Sequence, residues 1–528
     1  MTTKSTGKLT LVSLVLMIFT SVFGFNNMPR SFYLMGYSAI PWYVLSAITF
    51  FIPFAFMMAE YGAAFKNEKG GIYSWMEKSV GAKYAFVGTF MWYASYVVWM
   101  VNICSSIWIP FSNALFGQDV TSTWGIAGLK STQVLGLLGI CWIVFVTYTA
   151  TRGLEQIKKI TSVGGTAVAL LNVVLLVGAA AVFMANGGHL AEPLAGGQGF
   201  VEAPNPKYQS IFPILSFLVF ALFAYGGIEA VGGLVDETEN AEKTFPKGVA
   251  ISAFVISIAY SLGIFLCGIF TNWADVLSSK SVHMGNVSYV IMKNLGYQIG
   301  HSFGFPEATS LLMATWMARF MGLSMFLALS GAFFTLCYAP LKQIIVGTPK
   351  GLWPGKMGEV KDSGMPLNAM WIQCGVVVAF ILLVTFGGEG AAQFFNKLVL
   401  MTNVAMTLPY MFLSIAFPYF KKKTEIHKPF EVFKGYVTII EATREMPYPF
   451  EVFKGYGISL VASIIVTFTV GFANFFTIIE PATGGDMSST IWSIVGPAFF
   501  SIVAIAMFNR YEKKDKKAVE DKLASSEA

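Results

Sequence analysis

Charged residues are scarce in this chain. Only 12% of its 528 residues are Asp, Glu, Lys or Arg, whereas a soluble domain carries about 25%. The mean hydropathy is correspondingly high, at +0.63. The composition therefore excludes an ordinary soluble domain and indicates a protein whose surface faces lipid.

Cysteine and histidine are also scarce, with five and four residues respectively. All five cysteines lie inside apolar runs, and none has the CxxC spacing of zinc or redox sites. The chain contains no HExxH, GxSxG or Walker A motif. We therefore predict no metal site and no cofactor, and a protein that is neither an enzyme nor an ATP-driven pump.

Long apolar runs dominate the sequence. A helix that crosses about 30 Å of hydrocarbon needs about 20 residues, and we find twelve runs of this kind. They lie near 9–34, 40–63, 84–110, 131–150, 160–185, 209–234, 248–270, 311–338, 368–387, 393–419, 457–479 and 488–508. Barrel strands would instead alternate over about ten residues. The sequence thus predicts an all-α polytopic membrane protein with twelve spans.

The distribution of Lys and Arg predicts the orientation of these spans. With a cytoplasmic N-terminus, the inside segments hold 28 of these residues and the outside loops hold five. Because cytoplasmic loops are enriched in Lys and Arg, we expect both termini inside and no nucleic-acid partner. The first apolar run lacks a small-residue cleavage site, so we also expect no cleavable signal peptide.

The first span is interrupted by helix-breaking residues. The stretch TSVFGFNNMPRSF, residues 20–32, breaks the apolar run at Gly24–Asn27. Unwinding frees backbone groups that lipid cannot satisfy, and the restarted helix would present N–H donors and positive partial charge. Asn27 suits the cap of that helix and Pro29 its first turn. This end of the helix is suited to a substrate carboxylate.

The sixth span carries a second break at a matching depth. In FLVFALFAYGGIEAVGGLV, residues 217–235, Gly226 and Gly227 precede Glu229. The two breaks are five spans apart on antiparallel helices, the pattern of an inverted repeat of spans 1–5 and 6–10. Freed carbonyl oxygens would accept hydrogen bonds from an ammonium group. An amino acid, which has both a carboxylate and an ammonium group, would therefore suit both the N–H donors and these carbonyl acceptors. The alternative is that these residues only kink the helices.

Several motifs resemble those of the amino acid–polyamine–organocation transporters, and within them the glutamate/γ-aminobutyrate antiporters. The resemblance covers about residues 8–510. It includes Gly24-x-x-x-x-Pro29, EKGGIYSWMEKSVG at 68–81, and Tyr225-x-Gly227-Ile228-Glu229-Ala230. It continues with Trp316-x-x-Arg319, Ala339-Pro340-Leu341-Lys342 and Gly364-Met365-Pro366.

The resemblance implies one transporter domain over residues 1–510, with a five-plus-five inverted-repeat (LeuT-like) core and alternating access. Repeat one would cover 9–185, repeat two 209–419, and two further spans 457–508. A cytoplasmic loop at 421–456 and a tail at 511–528 complete the chain. The implied substrates are amino acids or their decarboxylation products, often moved by exchange.

The chain departs from this family in several places. Ser162 stands where many sodium-independent members have a lysine, so the coupling ion stays open. Ala241 replaces a common proline, and Val22 replaces a glycine. The octapeptide PFEVFKGY occurs twice, at 429–436 and at 449–456, which indicates a tandem duplication in the loop.

Charges within the spans are candidates for function. Glu229 can receive a proton or an ammonium group, or can be structural. Arg319 can bind a second carboxylate or pair with Glu229, and Lys397 can snorkel to the interface. The predicted substrate site consists of Ser21, Gly24, Phe25, Asn26, Asn27, Phe223, Tyr225, Gly226, Gly227, Glu229, Trp316 and Arg319. The coupling candidates are Glu229, Ser162 and Lys397.

The sequence therefore predicts a secondary transporter of amino acids, or of small zwitterions or anions derived from them. Transport would proceed by exchange or by symport with a proton or sodium. We expect it in a bacterial inner membrane, in contact with lipid. The alternatives are a channel, discriminated by ion currents that do not saturate, or a non-transporting sensor.

Overall fold

The computed structural model describes residues 8–361, 364–434, 453–454 and 456–527. In chain order the first nine helices are α1 Leu11–Val22, α2 Asn27–Met35, α3 Ala39–Ser46, α4 Ile52–Ala64, α5 Gly71–Ser79, α6 Ala82–Ser106, α7 Trp108–Phe116, α8 Ser131–Ala150 and α9 Leu154–Ala185. The next nine are α10 Ile211–Phe223, α11 Ala241–Phe270, α12 Val287–Ser302, α13 Glu307–Gly347, α14 Leu367–Phe386, α15 Gly388–Ala405, α16 Leu408–Lys422, α17 Tyr456–Thr483 and α18 Met487–Glu527.

Shorter turns of helix and one pair of strands complete the described residues. A 3₁₀ helix at Ile228–Leu234 follows α10, and a π-helical turn at Ala47–Phe51 joins α3 to α4. Strands β1 Phe433–Lys434 and β2 Phe453–Lys454 contain two residues each. The prediction of an essentially all-helical chain is confirmed.

Eleven helical segments of the described residues are long and apolar enough to cross a membrane. The first, Leu11–Ala64, contains 54 residues and covers both of the first two predicted spans. At 1.5 Å per residue it would measure about 81 Å as one straight helix, more than twice the hydrocarbon thickness. The other ten segments each match one predicted span, so the chain is a polytopic helical membrane protein.

The helices pack closely because small residues line their crossings. A Cβ atom at Gly164 in α9 would lie 2.6 Å from the carbonyl oxygen of Leu327 in α13. Beside it, the Thr161 hydroxyl lies 3.1 Å from that of Thr335 and 3.2 Å from the carbonyl oxygen of Gly331. Close approach at small residues is the usual way membrane helices associate. Helix α1 contacts α9, α11 and α13, which places the first break at the centre of the bundle.

The structure also differs from the expected spans in detail. The tenth predicted span is interrupted between α15 and α16, where Pro409 occupies the first turn of α16. The predicted loop between spans seven and eight contains a 16-residue helix, α12. The predicted tail continues α18 as far as Glu527.

The described part of the 421–456 loop packs against the ends of α4 and α16. Glu60 in α4 is fully buried and accepts hydrogen bonds from the N–H groups of Val432 and Phe433, at 2.8 and 2.7 Å. The ammonium group of Lys421 lies 2.8 Å from the same carboxylate. Strand β1 pairs in parallel with β2, with Phe433 beside Phe453, which is the register of the octapeptide repeat. The rest of this loop, at 435–452 and 455, lies outside the described residues.

Candidate functional site

The two predicted breaks are present, and they touch each other. Helix α1 ends at Val22 and the chain resumes a helix at Asn27, so the break begins one residue earlier than expected. Helix α10 ends at Phe223, and Gly227 adopts a left-handed backbone with φ +113°. A Cβ atom at Gly227 would lie 2.4 Å from the carbonyl oxygen of Ser21. Only glycine therefore permits this backbone angle and this approach.

The hydroxyl of Tyr260 in α11 joins the two breaks. It accepts hydrogen bonds from the Gly24 N–H at 2.9 Å and from Asn27 Nδ2 at 3.3 Å. It donates to the carbonyl oxygen of Ala224 at 2.9 Å, with that of Val22 at 3.3 Å as a second acceptor. Tyr260 is fully buried, so its hydroxyl replaces water for backbone groups that both breaks leave free.

The start of α2 retains free polar groups. The prediction that Asn27 caps this helix is wrong: Asn26 occupies the cap position without a capping side-chain bond, and Asn27 is the first helical residue. Within the described residues, the N–H groups of Phe25 and Asn26 make no hydrogen bond. The side-chain oxygen of Asn26 is buried and has no partner there. Two donors and one acceptor thus remain available beside the break.

Glu229 sits just past the second break and is surrounded by hydrogen-bond donors. Its Oε1 accepts from Trp92 Nε1 at 3.0 Å and from the Tyr96 hydroxyl at 3.1 Å. Its Oε2 accepts from the Gly227 N–H at 3.1 Å, and the Tyr410 hydroxyl accepts from the same N–H at 3.1 Å. The side chain is fully buried, and no cation pairs with it among the described residues. This carboxylate ties the second break to α6.

Aromatic side chains close the space around the breaks. Tyr225 is fully buried; its ring stacks on Phe51 at 4.7 Å, and its hydroxyl donates to the carbonyl oxygen of Tyr43 at 3.2 Å. Phe25 is also buried, whereas Phe223 and Gly226 are half-buried. Phe25, Phe223 and Tyr225 all lie at the breaks, and their role as a cover over the substrate stays a prediction.

The two candidates from span eight lie elsewhere. Trp316 is 59% exposed on α13, and the guanidinium of Arg319 lies over its ring at 5.0 Å. The Arg319 side chain approaches Gly117 at the end of α7, and its buried Nε has no hydrogen-bond partner within the described residues. The described part of the chain contains no ion pair between Arg319 and Glu229. Trp316 and Arg319 are therefore not brought to the breaks.

The other two coupling candidates, Lys397 and Ser162, do not bond to either break within the described residues. Lys397 is exposed in α15, with its ammonium group 5.3 Å from the ring of Trp492. Ser162 is half-buried, and its neighbour Thr161 is the residue that points into the bundle. Glu229 is thus the coupling candidate that contacts a break.

Sequence reasoning missed Tyr260, Trp92 and Tyr410 as residues of the site. Each is an aromatic residue in an apolar run, where most aromatic side chains only pack or lie at the interface. Their polar tips identify them only once their partners are known, because a buried Tyr or Trp usually finds a hydrogen-bond partner. The sequence indicates Tyr260 and Tyr410 only by their position, because a tyrosine in the middle of a membrane span is far from the interface.

Two interrupted membrane helices that meet inside the bundle are typical of secondary transporters. A sequence profile of the amino acid permease family matches residues 9–500. The match covers nearly the whole chain, so the chain belongs to this family. The resemblance deduced from the motifs is confirmed.

The chain is similar to several named transporters. The chain is 54% identical over 505 residues to the inner membrane transporter YjeM of Escherichia coli, covering 96% of each chain. It is 26% identical over 420 residues to the aspartate/glutamate permease AcaP of Lactococcus lactis, covering 78% of this chain and 79% of AcaP. A glutamate/gamma-aminobutyrate antiporter of Lactococcus lactis is 22% identical over 477 residues, 90% of this chain and 84% of its own length.

Proposed function

We propose that this protein is a secondary active transporter of amino acids or of small zwitterions or anions derived from them. Transport would proceed by alternating access, through exchange or through symport with a proton or sodium. The observation that carries the proposal is the contact between two broken helices, with N–H groups at the start of α2 that make no hydrogen bond within the described part of the chain. The printed functions of the Lactococcus lactis relatives, an aspartate/glutamate permease and a glutamate/gamma-aminobutyrate antiporter, support acidic amino acids as the first substrates to test.

The free groups suggest how a substrate would bind. A substrate carboxylate would accept from the N–H groups of Phe25 and Asn26, where the helix dipole of α2 also favours negative charge. A substrate ammonium group would donate to the unpartnered oxygen of Asn26 or to freed carbonyls of the second break. Asn26 and Asn27 are half-buried, and so lie closer to solvent than Tyr225 or Glu229.

We further propose twelve membrane crossings with both termini in the cytoplasm of a bacterial cell. The length of the Leu11–Ala64 segment supports two crossings there. The antiparallel relation predicted for the two breaks supports a five-plus-five inverted repeat. The excess of Lys and Arg in alternate loops supports the orientation.

Counterflow in vesicles tests the proposal. Purified protein would be reconstituted with internal aspartate, glutamate or γ-aminobutyrate, and uptake of the labelled compound would be followed. We expect uptake that saturates and requires internal substrate. No counterflow of any amino acid, or ion currents that do not saturate, would contradict the proposal.

A thermal-unfolding screen would identify substrate and coupling ion together. A ligand that binds the folded state raises the unfolding midpoint, by an amount that grows with its concentration relative to Kd. The screen would use amino acids at two pH values, with and without sodium. A sodium-dependent shift would favour sodium coupling over a proton.

A further inference from the structure

Two glycine pairs far apart in the sequence meet at one side chain. A Cβ atom at Gly71 would lie 2.3 Å from Gln343 Oε1, and one at Gly233 would lie 2.8 Å from Gln343 Cγ. The pairs also approach each other, since the Gly71 Cβ would lie 2.7 Å from the carbonyl carbon of Gly232. Gly71 in addition has φ +49°, which favours glycine. The Gly70–Gly71 pair at the start of α5 and the Gly232–Gly233 pair after the second break are therefore parts of one junction.

The carboxamide of Gln343 is bonded at both ends of that junction. Its Oε1 accepts from the Ile72 N–H of α5 at 2.8 Å. Its Nε2 donates to the carbonyl oxygens of Ala230 at 2.9 Å and of Glu229 at 3.4 Å. Gln343 is fully buried in α13. One donor on one side and two acceptors on the other require an amide in this orientation.

Helix α13 also holds the chain just beyond the 3₁₀ helix. Lys342 lies 2.8 Å from Asp236 and pairs with Glu237, which also accepts from the Tyr338 hydroxyl at 2.8 Å. These are the charged groups next to Gln343, together with Glu229, whose carboxylate faces α6. The buried residues of α5 are uncharged. Gln343 thus makes uncharged hydrogen bonds next to the Lys342 ion pairs on one side and the Glu229 backbone on the other.

We propose that Gln343 is a positioning residue for transport. It holds the 3₁₀ helix that follows the second break and carries Glu229, and it joins this helix to α5. The 3₁₀ helix and α5 would therefore move together. This inference rests on the proposed function, because it assigns the movement to a transport cycle. It also explains why glycine is required at Gly71 and Gly233: any side chain there would displace the carboxamide.

Replacing the amide by a carboxyl group or by a hydrocarbon tests this role. In Q343E a protonated carboxyl can donate to Ala230 and accept from Ile72, whereas an ionised one faces two carbonyl oxygens. We expect counterflow by Q343E to recover as the pH falls. Q343L, which can make neither bond, should lose about tenfold in maximal rate at every pH. The KM for substrate should change much less than the rate, since Gln343 touches no substrate.

Gln373 in α14 provides a matched control. It is buried and similarly bonded, accepting from the Tyr93 hydroxyl at 2.9 Å and donating to the carbonyl oxygen of Cys337 at 3.0 Å. Q373E should lower the thermal-unfolding midpoint without producing the acid recovery of Q343E. The same acid recovery in both variants would overturn the positioning role, because any buried glutamine would then produce it.

Hydrogen exchange supplies a readout that does not depend on transport. Peptides covering residues 71–79 should exchange faster in Q343L than in the wild-type protein, since the Ile72 N–H loses its acceptor. Unchanged exchange together with wild-type rates and pH profiles would overturn the inference. If the wild-type protein moves no amino acid, the proposed function fails, and the exchange experiment alone decides whether Gln343 joins α5 to the break.

Discussion

The two broken helices meet and share the Tyr260 hydroxyl, but the other partners of their freed backbone groups differ. At the first break, the neutral hydroxyl of Tyr260 bonds the Gly24 N–H and the Val22 carbonyl oxygen, and within the described residues two further N–H groups make no hydrogen bond. At the second break, the buried carboxylate of Glu229 receives donors from α6 and from Gly227. The first break is half-buried, whereas the second is almost entirely buried.

This difference assigns different roles to two similar interruptions. Free donors at a helix start are costly unless a ligand or water satisfies them, so under the proposed function the first break is the side that would bind the substrate. At the second break, Glu229 and the Tyr410 hydroxyl already bind the Gly227 N–H, so this donor is not left for a substrate. Matching breaks in a sequence need not be equivalent in chemistry.

The largest effect should come from adding a methyl group to each break. Gly227→Ala would force a left-handed residue and a contact with Ser21 backbone, at a cost of about 3 kcal/mol or more. Gly24→Ala meets only the movable Asn27 side chain and should cost about 1 kcal/mol. Thermal-unfolding midpoints in detergent would check this order. Equal decreases in the midpoint for the two variants would show that the two breaks do not differ in packing.

Glu229→Gln should have the next largest effect. An amide cannot accept at both of its ends, so one set of donors loses its partner, at a cost of about 1–3 kcal/mol. If the carboxylate is a fixed acceptor, counterflow should fall by a similar factor at every pH. A pH profile that changes shape would instead assign Glu229 a proton-carrying role.

Tyr260→Phe should weaken the contact between the breaks. Removing the hydroxyl leaves the Gly24 N–H and the Ala224 carbonyl without their partner, for about 1–2 kcal/mol of stability. Tyr37→Phe is the matched control, because the buried Tyr37 hydroxyl has no hydrogen-bond partner among the described residues. Equal unfolding midpoints for the two variants would show that the Tyr260 hydroxyl does not join the breaks.

The smallest effect should come from Lys397→Ala. This exposed residue contacts Trp492 through a cation–π interaction, which is worth about 0.5–1 kcal/mol at such sites. We expect nearly unchanged counterflow and ion dependence. A loss of ion coupling in this variant would restore Lys397 as a coupling residue and extend the site beyond the breaks.

The sequence predicted the helical spans and both breaks because these depend on local properties. Apolar length predicts a crossing, and glycine next to polar residues in an apolar run predicts an interruption. The roles of Trp316 and Arg319 were harder to predict, because periodicity does not tell which face of α13 points inward. The structure leaves Trp316 exposed and places Arg319 beside α7.

By itself the sequence determined the family, the apolar helical character of the segments and, to within about a residue, the positions where two of them unwind. Only the tertiary structure decided which side chains satisfy the unwound backbone. Tyr260 lies 236 residues from Gly24 along the chain, and Tyr410 lies 183 residues from Gly227. Such partners are selected by three-dimensional packing, because a freed N–H or C=O can be satisfied by any polar atom that the fold brings within about 3 Å.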